Sequence, residues 1–120
     1  MREFDVAIPA RRDIGQVLHW SEKNFGTRAR QRYQKLITKA LHDLAKDPFR
    51  PGSLDRPDIG PGYRVYHLHY SRKRAARAGP RVQTPRHFFL YRVRNEAVHV
   101  ARLLHDSMDM ETQVSPQPLA

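Results

Sequence analysis

Two kinds of side chain in this 120-residue sequence could do chemistry on a phosphate: arginines set in β-patterned runs, and histidines close to them. Arg64 and Arg102 could each hold a phosphate through two parallel N–H donors. His67, His69, His87 and His105 could exchange protons near neutral pH. Metal-free cleavage of RNA uses the neighbouring 2′-hydroxyl as nucleophile, so it needs a base, an acid for the leaving oxygen and cations on the phosphate. Arg64, Arg102 and His105 are the candidate catalytic set for such a reaction. The same residues also have a simpler reading, because an Arg in a strand often serves as an edge charge and a His in basic surroundings as polar filler. His67 and His69 alternate in sequence, so two imidazoles could point to one side of a strand, and a zinc site could add Asp106 or Asp109. The lack of Cys and the surrounding positive charge weigh against this, and neither a metal nor a cofactor is expected.

The positive charge is concentrated. From Ile59 to Asn95 there are nine Arg or Lys residues and no Asp or Glu, while the chain as a whole is formally +10. A field of one sign attracts polyanions or acidic protein segments and speeds their encounter. Arg72, Lys73, Arg74, Arg77 and Arg81 have the composition of a tether to phosphates, or of a dock for an acidic partner. No aromatic residue interrupts them, which favours contact with a backbone over stacking on single-stranded bases. Arg64, Tyr91 and Arg92 flank this run and complete the candidate target-binding set. Tyr91 is the aromatic with most functional promise, though it could equally pack. Trp20 and Tyr33 read as core or helix-interface aromatics.

The elements that must position these groups follow from hydrophobic period. Apolar residues at Phe4, Val6 and Ile8 alternate as in a half-buried strand, which Pro9 closes. Ile14, Val17, Leu18, Ser21 and Phe25 share a helical face over residues 10–25, with Gly26 as the stop. Thr27 reads as the N-cap of a second helix over residues 27–46, whose stripe is Ala29, Tyr33, Leu36, Ile37, Ala40, Leu41 and Leu44, ended by Asp47-Pro48. Residues 48–62 are dense in Pro and Gly and read as a loop. Residues 63–70 and 87–94 read as strands, with a long loop over 71–85 between them. Asn95-Glu96 is short enough for a hairpin turn into a last strand over 98–104. A short helical turn is expected around Ser107 to Thr112, and a frayed tail over 113–120.

These expectations describe an α+β fold: an N-terminal strand, an antiparallel helical hairpin, then a three-stranded antiparallel meander. At 120 residues a single domain is expected, over 1–112, with the basic loop at 71–85 as an insertion. No apolar run approaches the roughly 20 residues that span a bilayer, so a cytoplasmic protein without membrane contact is expected. Zero cysteines remove disulfides and thiol nucleophiles.

Placed in this order, Gly60-Pro61-Gly62-Tyr63-Arg64, Phe89-Leu90-Tyr91-Arg92-Val93 and the run Val100 to Asp109, beginning Val-Ala-Arg-Leu-Leu-His, resemble the RelE/ParE superfamily of type II toxins, on the ParE side. The resemblance covers about residues 3–110. It implies a small growth-inhibiting protein made together with an antitoxin that wraps or clamps it. ParE-like members poison DNA gyrase without being enzymes themselves, and RelE-like members cut mRNA in the ribosomal A site; fold alone does not choose between them. RelE-like nucleases carry a Tyr or His near the C-terminus, and with no Tyr after Tyr91 only His105 could fill that place. One departure is the segment from Ser71 to Pro85, where such toxins usually have a few residues. The resemblance favours a gyrase-binding toxin, with a ribosome-dependent mRNA endonuclease and a non-toxic nucleic-acid or protein association module as alternatives. Oligomeric state is not legible.

Overall fold

The computed structural model describes residues 2–72 and 85–107. Its elements run β1 (Phe4–Val6), α1 (Ile8–Phe25), α2 (Thr27–Lys46), β2 (Ser53–Asp55), β3 (Tyr63–His67), a 3₁₀ turn (Leu68–Ser71), β4 (His87–Arg94) and β5 (Ala97–His105). The class is α+β, with two helices between an N-terminal strand and a mostly antiparallel sheet. The sheet is larger than a three-stranded meander, however. It has five strands in the order β1-β5-β4-β3-β2, and β1 joins β5 in parallel while the other pairs are antiparallel.

Local chemistry explains where element bounds differ from those expected. Pro9 sits in the first turn of α1 and does not merely close β1, because its fixed φ suits a helix start and its missing N–H would be unpaired there anyway. Gly26, at φ 92°, both ends α1 and precedes α2, so Thr27 is the first helical residue and not the cap. β2 lies inside the Pro/Gly-rich stretch expected to be a loop, and pairs Ser53, Leu54 and Asp55 with Tyr66, Val65 and Arg64. β3 stops at His67, not at residue 70. His67 Nδ1 accepts the His69 N–H at 3.1 Å and starts the 3₁₀ turn. The turn carries Ser71 inward, where its hydroxyl donates to Asp43 on α2 at 2.6 Å and pairs with the Tyr66 hydroxyl at 2.8 Å.

The helices cover one face of the sheet. Ala10, Leu18, Leu36, Ile37, Ala40 and Leu44 pack against Tyr66, Leu68, Phe89, Tyr91, Val98, Val100 and Leu103, all buried. A bulge in β5 makes this possible: Leu90 faces Arg102 but Tyr91 faces Val100, which leaves Ala101 as an extra residue. The extra residue lets even-numbered Val98 and Val100 and odd-numbered Leu103 enter the same core. Asn95 and Glu96, at φ 50° and 64°, form the two-residue turn from β4 to β5, the backbone that matches the twist of a hairpin. No helix among the described residues is long and apolar enough to cross a membrane.

Candidate functional site

The structure separates the three residues that RNA cleavage would have to bring together. Arg64 on β3 faces Tyr91 of β4, whereas His105 on β5 faces His87, four residues further along β4. At about 3.3 Å per residue that is about 13 Å. Arg102 is turned toward the helical layer and holds Asp13 of α1 through two N–H groups at 2.7 and 3.0 Å. Asp13 also accepts the Leu103 backbone N–H at 3.0 Å. The register of β1 with β5 ends at Val100, so Asp13 completes the edge of β5 just beyond that point. The carboxylate raises the pKa of Arg102 by hydrogen bonding to it, and the guanidinium is committed to the fold.

Arg64 belongs to a second arrangement, at the β2 side of the sheet. Its Nε donates to Ser53 Oγ at 2.7 Å and an Nη to the Ser53 carbonyl at 3.3 Å, while the guanidinium lies 5.1 Å from the centre of the exposed Phe49 ring. Beneath it, the Tyr91 hydroxyl contacts Ser53 Oγ and donates to the Pro48 carbonyl. Tyr91 is fully buried, so it supports Arg64 and the 48–53 segment from below. Burial raises its pKa, against the opposing hydrogen bonds of Ser53 and Arg64. The same segment is anchored by Arg50, which reaches the buried Asp43 at 3.7 Å and its carbonyl at 3.2 Å. Asp43 was not legible as a functional position, since one carboxylate in a helix reads as a surface residue until its partners are known.

Of the other expected binding residues, Arg92 lies 5.0 Å from the Tyr63 ring centre on the sheet face away from the helices, and Arg72 follows the 3₁₀ turn, partly exposed. Lys73, Arg74, Arg77 and Arg81 lie outside the described residues, as do most of the expected turn at 107–112 and the tail.

The histidines gather where β3 and β5 end and β4 begins. His87 and His105 rings are 5.2 Å apart, edge to face. His67 Nε2 meets Asp106 at 3.1 Å, and Arg86 binds the same carboxylate at 3.0 Å. The hydrogen bond from Arg86, then that from His67, hold Asp106 below the usual carboxylate range. Tyr33 of α2 closes the group. Its hydroxyl accepts the Arg86 backbone N–H at 3.3 Å and is hydrogen-bonded to His87 Nδ1 at 2.7 Å, with the donor of that second bond set by the His87 tautomer. Burial pushes Tyr33 up to about 12. Burial, and next the charge of His105, push His87 down to about 4, so it is neutral at pH 7. His69 is lowered by burial and by the charges of His67 and Arg72. His67 and His69 stack at 4.5 Å, and among the described residues no three His, Cys, Asp or Glu side chains form a metal-holding group.

Tyr33 thus packs at the interface of α2 and the sheet, as its spacing suggested. Trp20 does not: it is 58% exposed and sits edge-on to Phe25, 67% exposed, with ring centres 5.5 Å apart. Its position between Leu18 and Ser21 on α1 looked apolar in sequence, but those two residues carry the buried face. A shallow polar cavity lined by Arg2, Glu3, Lys46, Asn95, Glu96 and Ala97 lies at the β4–β5 turn, apart from all the expected site residues.

No curated protein matches the chain. A family model does, over residues 6–110, and its description is ParE toxin of type II toxin-antitoxin system, parDE. That span takes in the helical hairpin, the whole of β3, β4 and β5, and the Arg102–His105 ending. The chain belongs to the ParE toxin family of type II toxin–antitoxin systems.

Proposed function

We propose that this toxin inhibits growth by binding DNA gyrase and is neutralised by its cognate antitoxin, and that it acts by occupancy and not by catalysis. The observation that carries this reading is the commitment of Arg102 to Asp13, which takes a guanidinium away from any phosphate and leaves Arg64 and His105 about 13 Å apart along the sheet. Target contact falls to Arg64, Arg72, Lys73, Arg74, Arg77, Arg81 and Arg92, with Tyr91 holding Arg64 in place from the core. Arg64 over Phe49 is the composition of a binding hot spot, a cation and a ring fixed before the partner arrives. An acidic antitoxin segment that folds on contact suits the +10 charge of the chain.

The test is capture of purified gyrase subunits by the intact chain at increasing salt. Arg64→Ala should weaken capture at least tenfold with the fold intact. Capture that is equal for wild type and Arg64→Ala would remove this surface from the reading. The grouping of His67, His87 and His105 around Asp106 favours a second reading, a ribosome-dependent endonuclease in which His105 moves the proton. Against it, His87 is neutral and its Nδ1 is taken by Tyr33.

A further inference from the structure

The outer surface of the helical hairpin carries a second concentration of charge that the basic β3–β4 stretch conceals in a whole-chain count. Residues 8–46 contain nine Lys or Arg and only three carboxylates. All three carboxylates are used internally: Asp13 by Arg102 and Leu103, Glu22 by Arg30 and Thr27, and Asp43 by Lys39, Arg50 and Ser71. On α2 the cations are ordered. Arg28, Arg32, Lys35, Lys39, His42 and Lys46 follow one another at steps of four, three, four, three and four residues, the spacing of a single helical face. The stripe lies away from Leu36, Ile37, Ala40 and Leu44, which face the core. Arg28, Lys35, His42 and Lys46 are exposed; Arg32 and Lys39 are partly so, and Lys39 also reaches Asp43 at 3.3 Å. Over 18 residues at 1.5 Å each, the stripe is about 27 Å long.

We infer that this face of α2 binds the phosphate backbone of double-stranded DNA. A protein partner would need an apolar or aromatic centre, and such surfaces are depleted in Lys. The stripe contains neither ring nor aliphatic side chain apart from His42, whereas the exposed Trp20 and Phe25 are on the other helix. Phosphate contact needs only cations and fixes position without reading sequence. Single strands are a poorer fit, because the stripe has no Phe, Tyr or Trp to stack on bases, and its one ring, His42, sits edge-on to Phe4. Between duplexes, the wide major groove of B-form DNA admits a helix face, and the deep narrow groove of A-form RNA does not. The inference is independent of which enzyme the toxin poisons.

The experiment measures binding of the intact chain to a labelled random-sequence DNA duplex by anisotropy between 50 and 200 mM salt. Wild type is compared with a variant carrying Arg28→Gln, Arg32→Gln, Lys35→Gln and Lys46→Gln. Four lost phosphate contacts should flatten the log–log salt slope by about 3 to 4, so that the wild type loses about a hundredfold more affinity than the variant across that range. In parallel, wild type bound to the duplex is treated with an amine-acetylating reagent. Lys35 and Lys46 should be protected and Lys23 on α1 should not, a readout that needs no variant to fold. Unchanged affinity and slope in the variant, or acetylation of Lys35 and Lys46 unaffected by DNA, would overturn the inference. So would tighter binding to duplex RNA than to DNA, or displacement of the duplex by polyglutamate at equal charge.

Discussion

Asp13 and Arg102 are 89 residues apart in sequence and joined by two hydrogen bonds, at 2.7 and 3.0 Å, that tie the first turns of α1 to the bulged part of β5. The pair is only partly exposed, 12% for the Asp13 side chain and 27% for that of Arg102, and the same carboxylate supports the Leu103 N–H. Removing Asp13 therefore takes the acceptor away from three N–H donors, two of Arg102 and that of Leu103. Asp13→Ala should cost about 2 to 4 kcal/mol. Arg102→Ala should cost less, because Asp13 keeps its bond to the backbone, and the double variant should fall short of the sum by at least about 1 kcal/mol. Denaturant melts of the four proteins measure this. Full additivity would mean that the pair contributes nothing jointly.

The two leucines of the α2 stripe should separate in their effect. Leu36 is 1% exposed within the core, while Leu41 is only partly buried at its margin. Leu36→Ala should cost about 2 to 5 kcal/mol, and Leu41→Ala less than half as much. Equal losses in melts would show that the helices do not pack on the sheet in this rotation.

The hairpin turn can be made more stable. Glu96 holds φ 64°, a conformation that costs a side chain about 1 to 2 kcal/mol. Glu96→Gly relieves it at some cost in chain entropy, so a net gain of about 0.5 to 1 kcal/mol is expected. A lowered melting temperature would mean that Glu96 makes a compensating contact, for which Arg2 and Lys46, lining the same cavity, are the candidate cations.

Acid should destabilise the protein through His87. Its folded pKa, about 4, lies below the ordinary 6.5, so folding favours the neutral ring. That contribution is complete above pH 6.5 and is lost as the pH falls from 6.5 toward 4, on the order of 3 kcal/mol in all. His105 and His67 act on the ring in the same direction as burial, and Asp106 and Asp13 oppose them. Asp106, held low by Arg86, adds a further loss only below the usual carboxylate range. Melts from pH 7 to 4 should show this slope in wild type and a flatter one in His87→Gln. Parallel slopes would place the acid sensitivity elsewhere.

Much of this architecture was legible in the sequence, because the helices and the last two strands are long enough to show their periods. Leu36, Ile37, Ala40 and Leu44 repeat as a helix face, and the apolar residues of β4 and β5 are numerous enough to mark strands on either side of Asn95-Glu96. β2 was not legible, since three residues between Gly52 and Arg56 carry no period. Nor was the early end of β3, which depends on Ser71 finding Asp43 across 28 residues. The site was less legible than the fold for the same reason. The partner of Arg102, Asp13, lies 89 residues away and cannot be read from residue type, and neither can the burial of the Tyr91 ring in the core. Charge misled through averaging: the cationic hairpin and the acidic remainder outside residues 59–95 nearly cancel in the sum.

Inhibition of gyrase by binding is tested by assaying purified wild type in two reactions side by side: gyrase supercoiling of a relaxed plasmid, and mapping of transcript 5′ ends on translating ribosomes. Supercoiling should stop at toxin concentrations near those of gyrase, added antitoxin should restore it, and no new 5′ ends should appear with wild type or with His105→Ala. Codon-phased cleavage lost in His105→Ala, with supercoiling unimpaired, would contradict it, since a proton-transfer group contributes about 10²- to 10⁴-fold to rate and its loss would expose a nuclease.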